Sequence, residues 1–263
     1  MGNKIKPLFR IRQDIPRRWY VGGIIATFAG IMLVWFVLSM LELVERTFLP
    51  TPIQVAETFV QLILTPEFWN HIGISVYRVF MGFLLACLLG IPLGILAGTW
   101  RMAEAAIVPI TEFIRYMPAT AFIPLVMVWA GIGEPAKILI IFIGSFFQLV
   151  LMVADDTRSV SNDLLEASYT LGAKGHHVVR QVILPALLPS LMNTLRLIMG
   201  WAWTYLVVAE LIAANSGLGY TIMKAQRFLN TDVIFVGIIV IGLLGLIIDR
   251  CFALLNRKLF HWA

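Results

Sequence analysis

The chain has 263 residues, of which 60% are hydrophobic and only 13% charged, with a net charge of +5. Too few polar side chains remain to clothe a soluble domain, which excludes that class and makes a bilayer the natural solvent. A helix rises about 1.5 Å per residue and a hydrocarbon core is about 30 Å thick, so apolar runs of about 20 residues are the units of such a fold. Six occur, at approximately 20–41, 77–99, 106–131, 136–155, 190–214 and 233–255. The expectation is an all-α integral membrane protein with one transmembrane domain over 20–258, between a basic segment at 1–19 and a short tail at 259–263.

Lys4, Lys6, Arg10, Arg12, Arg17 and Arg18 precede the first run. A polybasic stretch directly before a span is a topology and anionic-lipid anchor rather than a nucleic-acid arm. The run itself is too long for a signal-peptide core, so it is expected to stay as the first span. Residues 5–19, with Ile5, Leu8, Phe9 and Ile11 among cations, suit an amphipathic lead-in along the inner surface. After the first span, Leu49-Pro50-Thr51-Pro52 makes a turn, and Val55, Phe59, Leu62 and Ile63 suggest a short helix at the outer face. That segment either contacts a substrate-delivery protein or shields the bundle.

The third run is interrupted by Pro109, Pro118 and Pro124 and carries Glu112 and Arg115. Charge inside a bilayer is costly unless paired or wetted. Being three apart on a helix, the two either neutralise each other or leave Arg115 to line a route for an anion. The fourth run ends in Asp155-Asp156, which completes no metal motif and reads as a polar helix end.

Between the fourth and fifth runs lies a polar segment, 156–189. Asp163 and Glu166 are spaced like a capping box, Leu164, Leu165, Ala167, Ser168 and Leu171 form a small-and-apolar stripe, and Gly172 stands where glycine ends a helix. A second short helix is expected from about Lys174 towards Pro185, and the whole element reads as a docking surface for a soluble partner.

The fifth run holds Arg196 near its inner edge, where snorkelling accounts for a charge cheaply. Beyond it come Trp201, Trp203, Thr204 and Tyr205, flanked by Gly200 and Ala202, which permit close helix approach. These aromatics are far from either boundary, so they form a pore constriction or pack the core. Glu210, nearer the outer end, is either a gate acceptor or an interhelical polar contact.

Cations set the orientation. Besides the N-terminal group, Arg101, Arg158, Lys174, Arg180, Arg250, Arg257 and Lys258 fall on one side, against Arg46, Lys137, Lys224 and Arg227 on the other. The positive-inside rule places both termini and the 156–189 loop in the cytoplasm. There is no phosphate-binding loop, so the chain is not an ATPase. Cys87 and Cys251 sit in apolar spans as packing residues, His71 and His261 are isolated, and His176 and His177 point about 100° apart on a helix, so no metal set forms. Neither a catalytic site nor a resident cofactor is expected, and no internal repeat is evident.

Glu166-Ala167-Ser168-Tyr169-Thr170-Leu171-Gly172 followed by Val182-Ile183-Leu184-Pro185 resembles the cytoplasmic loop of permease subunits of ATP-binding cassette importers. Ser168 stands where that family usually has alanine, and Val182 where it usually has isoleucine. Phe113-Ile114-Arg115-Tyr116-Met117-Pro118, Trp129-Ala130-Gly131-Ile132-Gly133, Ala209-Glu210-Leu211-Ile212-Ala213-Ala214, Ser216-Gly217-Leu218-Gly219-Tyr220 and Phe228-Leu229-Asn230-Thr231-Asp232-Val233 are similar to the permeases for nitrate, sulfonate, taurine and bicarbonate. The similarity runs from about Leu49 to the C-terminal region.

The resemblance implies a six-transmembrane-helix type I importer permease with a cytoplasmic coupling helix, in the bacterial cytoplasmic membrane. Asp163, Leu165, Glu166, Ala167, Ser168, Leu171, Gly172 and Pro185 would couple it to a cassette ATPase, which itself binds the ATP and Mg. An external binding protein would deliver a small oxyanion or sulfonate, and another small solute such as a pyrimidine precursor is the alternative cargo. A single coupling motif per chain implies a homodimer on two ATPases, with the substrate path between two copies of the fifth span, bounded by Trp201, Trp203 and Thr204, Glu210 nearer the outside and Arg115 supplied by the third span. A self-sufficient secondary transporter or channel, and a lipid-modifying membrane enzyme, are the competing readings.

Overall fold

The computed structural model describes residues 15–213 and 215–260, and every regular element among them is helical. In chain order these are α1 (Arg17–Met40), α2 (Pro52–Ile63), α3 (Pro66–Thr99), α4 (Arg101–Arg115), α5 (Ile123–Ala130), α6 (Glu134–Arg158), α7 (Asn162–Thr170), α8 (Gly175–Val178), α9 (Leu184–Ala213), α10 (Leu218–Arg227) and α11 (Thr231–Leu259). Five helices are long and apolar enough to cross a bilayer, and six if one bent pair counts as a span. The lead-in expected at 5–19 falls largely outside the described residues, and from Arg17 onward the chain is already α1.

The segment expected as the third span, 106–131, is a bent pair rather than one straight helix. Arg101–Arg115 and Ala119–Ala130 meet at 91°. Pro118 forces residue 117 out of the helical region and cannot donate to the preceding turn, so α4 stops at Arg115 and a short 3₁₀ turn, Ala119–Phe122, restarts the chain in a new direction. Pro109 and Pro124 do no such damage, because α4 absorbs the first and the second lies in the opening turn of α5.

A correction concerns Pro185. The helix expected to end there instead runs on, so that Gly175–Leu211 forms one apolar rod. A π-helical turn, Val179–Ile183, separated from the proline by Leu184 alone, accommodates its missing N–H and its ring within a continuous helix.

The centre of the bundle is α3 against α6, the most extensive helix pair, with α9 packed beside them. Small residues on α3 make that closeness possible. A Cβ placed on Gly82 would sit 2.7 Å from Ile141, on Gly94 2.6 Å from Val153 and on Gly98 2.5 Å from Thr157. Val79, Ala86, Ile140, Ile141, Leu149, Val153, Ile198 and Leu206 are buried in the resulting core. α1 stands apart, touching the rest near its C-terminal end. There Trp35 stacks on Phe235 at 5.2 Å between ring centroids and donates its indole N–H to the Pro50 carbonyl at 3.0 Å. Its remaining apolar surface is exposed, as a lipid-facing helix requires.

The short helix expected after Pro50 is α2, fixed by a reciprocal cap between Thr51 and Gln54 with Pro52 in its first turn. α3 begins at Pro66, well before the apolar run proper. Gly217 caps α10 and Leu218 opens it.

Candidate functional site

Three groups of residues carry the chemistry of the chain. The first is α7 and its exit. Its cap is Ser161, whose Oγ accepts from the Asp163 backbone N–H at 3.2 Å, so the capping box expected between Asp163 and Glu166 is absent. Asp163 lies within the first turn, where its charge faces the positive end of the helix dipole. The exit is a full Schellman turn: the Gly172 N–H donates to the Tyr169 carbonyl at 2.9 Å and the Ala173 N–H to the Ser168 carbonyl at 3.0 Å. Gly172 adopts φ +83°, a conformation that disfavours any side chain with a Cβ.

No residue of α7 is buried. Leu164 and Tyr169 are exposed and Leu171 is 89% exposed, an arrangement that leaves apolar side chains projecting from a polar helix. Glu166 and Ala167 are also on its open surface, while Leu165 and Ser168 are half-buried. Beside Leu165 the start of α4 is tied to the end of α6: Arg158 pairs with Glu104 at 2.6 Å and with Asp155 at 2.5 Å, and Arg101 pairs with Glu104 at 2.8 Å. Asp156 separately accepts from the Thr194 hydroxyl at 2.5 Å, so the two neighbouring aspartates serve different helices. Near the same end, Arg196 does not simply snorkel: it forms a two-pronged ion pair with Asp249 of α11, one arm at 2.7 Å.

The second group surrounds a cavity of about 410 Å³ at the α4–α5 break. Arg115, Tyr116, Gln148, Trp201 and Tyr205 are among its lining residues. Arg115 donates to the Tyr116 hydroxyl at 3.3 Å and lies 5.0 Å from that ring's centroid. It does not pair with Glu112, which points to neither a salt bridge nor a hydrogen bond among the described residues. Arg115 and Trp201 thus line one cavity. Thr204 is exposed next to this face. Trp203, by contrast, is only 4% exposed and belongs to the core between α6, α9 and α11.

Glu210 belongs to the third group, a buried charge cluster at the opposite end of the bundle from α7. Its partner, which sequence reasoning overlooked, is Arg78 of α3. The Arg78 guanidinium uses all five N–H groups: two reach the Glu134 carboxylate at 2.6 Å each, one reaches Glu210 at 2.6 Å, and two reach the carbonyl and hydroxyl of Ser216 at 2.7 and 3.2 Å. Glu210 also accepts from the Ser75 hydroxyl at 2.8 Å and from the Gly219 N–H at 2.7 Å, and Lys137 reaches Glu134 at 2.9 Å. Two cations and two carboxylates balance, and the N-terminus of α10 closes over Glu210. No Cβ would fit at Gly217 or Gly219, which wrap that carboxylate. The only local signal for Arg78 was a cation at the edge of an apolar run. Among the described residues, no group of three or more His, Cys, Asp or Glu converges as a metal site would.

Residues 90–261 match the family described as Binding-protein-dependent transport system inner membrane component. The chain is 41% identical over 234 residues to SsuC of Bacillus subtilis, a permease protein named for aliphatic sulfonate transport, with 89% of this chain and 85% of that one covered. It is 35% identical over 243 residues to the taurine transport system permease protein TauC of Escherichia coli, covering 90% and 88%. Among solved structures, the MetNI methionine ABC transporter in inward facing conformations aligns with a TM-score of 0.57 at 23% identity, over 71% of this chain and 98% of that one. At that identity the likeness concerns the fold alone.

Proposed function

The chain belongs to the family of inner-membrane components of binding-protein-dependent transport systems, and on that premise we propose that it imports a small sulfonate or oxyanion, driven by a separate cassette ATPase that docks on α7. It is a multi-pass permease subunit without a nucleotide site of its own. The observation that carries the coupling is α7 itself: capped at Ser161, ended by Gly172, and displaying Leu164, Tyr169 and Leu171 away from the bundle. Its own chain half-covers only Leu165 and Ser168 and leaves these apolar side chains bare, whereas a groove on a soluble partner would cover them.

The distribution of cations supports a cytoplasmic position for α7 and for both termini. The Arg78 cluster, α2 and α10 then face the outside, where a binding protein delivers the anion. Two copies of the chain present two α7 helices to two ATPases, and the path runs between two copies of α9 past Trp201, Thr204 and Arg115. Trp203 and Glu210 hold α9 to its own bundle beside that path. Taurine, aliphatic sulfonates and nitrate, for which relatives are named, each present an anionic group whose one negative charge is spread over three oxygens.

Co-purification tests the docking. Leu171→Asp places a charge where the partner's groove would bury leucine, and should abolish recovery of the ATPase with a normally inserted permease. Undiminished recovery in Leu171→Asp and in Leu164→Asp would refute docking through α7.

A further inference from the structure

We propose that the cavity at the α4–α5 break is the seat of the transported anion, and that it favours an organic sulfonate with a short apolar stem over an inorganic ion such as nitrate. This rests on the importer reading above and adds the residues and the selectivity.

Gln148 lies near the middle of α6, within the apolar stretch Gly144-Ser145-Phe146-Phe147-Gln148-Leu149-Val150, and Tyr205 lies well inside α9. Neither the Gln148 amide nor the Tyr205 hydroxyl makes a hydrogen bond among the described residues, although both are half-buried. An amide or phenol kept in an apolar span without a partner is costly. Both line the same cavity.

That cavity is also where a membrane helix is broken. The break leaves the last carbonyls of α4 and the first N–H groups of the following 3₁₀ turn without helical partners, which is tolerated at membrane depth only where the backbone lines a cavity. Discontinuous helices mark substrate sites in other transporters for this reason. The break also delivers Arg115, whose charge has no carboxylate beside it, so the lining carries a net positive charge.

The geometry of donors fits a sulfonate. Its three equivalent oxygens carry one charge and accept only, and the lining offers a guanidinium, the NH₂ of an amide and phenolic O–H groups. Phe147, Ile143 and Trp201 supply apolar walls that a stem would cover and that nitrate, having no stem, would leave wet. Tyr205 is set in place by Gly144: a Cβ on that glycine would lie 2.5 Å from the tyrosine ring, so the ring rests directly on the α6 backbone. Gly144 and Gln148 are one turn apart on α6, and Trp201 and Tyr205 one turn apart on α9, so each pair shares a helix face.

The test reads occupancy at the permease, because a binding protein imposes its own selectivity on transport. In the full permease–ATPase complex carrying Cys87→Ala, Cys251→Ala and Gln148→Cys, the rate of N-ethylmaleimide modification is measured with propanesulfonate, nitrate or chloride at equal ionic strength. Propanesulfonate should slow labelling several-fold and saturably, while nitrate and chloride should not. Equal rates with all three, or protection by nitrate as strong as by propanesulfonate, overturn the proposal. Because the cysteine itself removes a donor, Tyr205→Phe is measured separately in the reconstituted system with native Gln148: losing one hydrogen bond to a charged ligand should lower propanesulfonate uptake about tenfold relative to the parent. Uptake at the parental rate in an assembled Tyr205→Phe complex counts against the site. If the parent complex shows no ATP-dependent anion uptake, the importer reading fails and this inference with it; if the parent transports propanesulfonate but Gln148→Cys is unprotected, only the site is wrong.

Discussion

Arg78 and Glu210 form an ion pair at 2.6 Å with both side chains fully excluded from solvent, although 132 residues separate them in the chain. The pair joins α3 to the last turns of α9, and through Ser216 and Gly219 it also fixes the start of α10. Burial of two ions is expensive, and the cost is met here because every guanidinium N–H and both Glu210 oxygens have partners. Removing Arg78 therefore leaves Glu210 a buried charge without a cation, whereas removing Glu210 leaves Arg78 its pair with Glu134.

Glu210→Leu should lower stability by about 3 kcal/mol, because one Arg78 N–H, the Ser75 hydroxyl and the Gly219 N–H lose their acceptor inside the bundle while Arg78 keeps Glu134. Glu134→Gln should cost clearly less, since the Glu134 side chain is 45% exposed and water replaces part of what it gives. Thermal unfolding in detergent measures both. In the double variant Arg78→Met/Glu210→Leu the loss should fall short of the sum of the single losses, because neither charge is then left alone.

Gly172 supports a prediction at the other end of the bundle. Nothing lies within 4 Å of a Cβ placed there, so the whole effect of a substitution is the backbone at φ +83°. Left-handed geometry costs an ordinary L-residue about 1–2 kcal/mol, least for asparagine and most for β-branched side chains. Gly172→Val should reorient the connection from α7 to α8 and reduce transport-coupled ATP hydrolysis, whereas Gly172→Asn should retain most of it. Equal activity in the two variants would show that the turn does not set the coupling geometry.

Trp201 and Trp203, two residues apart, should behave differently. Trp203→Ala opens a void in the core and should destabilise by about 3–5 kcal/mol. Its indole N–H is buried without an acceptor among the described residues, so Trp203→Phe should be mild by comparison. Trp201, 45% exposed on the cavity wall, should tolerate alanine within about 0.5 kcal/mol while transport falls. Unfolding temperature and uptake, measured on the same preparations, separate the two roles.

What the sequence made legible follows the range of each interaction. α7 and the Gly172 turn depend on residues within one or two turns, so their spacing is visible in the chain, down to a cap misplaced by two positions because Ser161 and Asp163 are both good N-cap residues. The apolar runs announce the spans for the same local reason. The 91° break was half visible: three prolines marked the segment, but which of them would bend it depends on where in a helix each one falls. Pro185 reads as a helix end because nothing in the composition of 179–183 foretells the π turn that absorbs it. Arg78 has no local signature, because Glu134 and Glu210 become its neighbours only through the packing of three helices. Gln148 and Tyr205 look like ordinary interruptions until α6, α9 and the α4–α5 break place them around one cavity.

The central claim, that this chain is the membrane half of an ATP-driven anion importer engaged through α7, is tested most directly in proteoliposomes. Purified chain, its cassette ATPase and its binding protein are reconstituted, and uptake of radiolabelled taurine, propanesulfonate and nitrate is followed with and without ATP and with Leu171→Asp in place of the parent. Accumulation of at least one of these anions that needs ATP, the ATPase and the binding protein, and that is lost in Leu171→Asp, is the predicted result. Uptake by the chain alone at the same rate, indifferent to ATP and to Leu171→Asp, would contradict it and mark the protein as a self-sufficient carrier or channel.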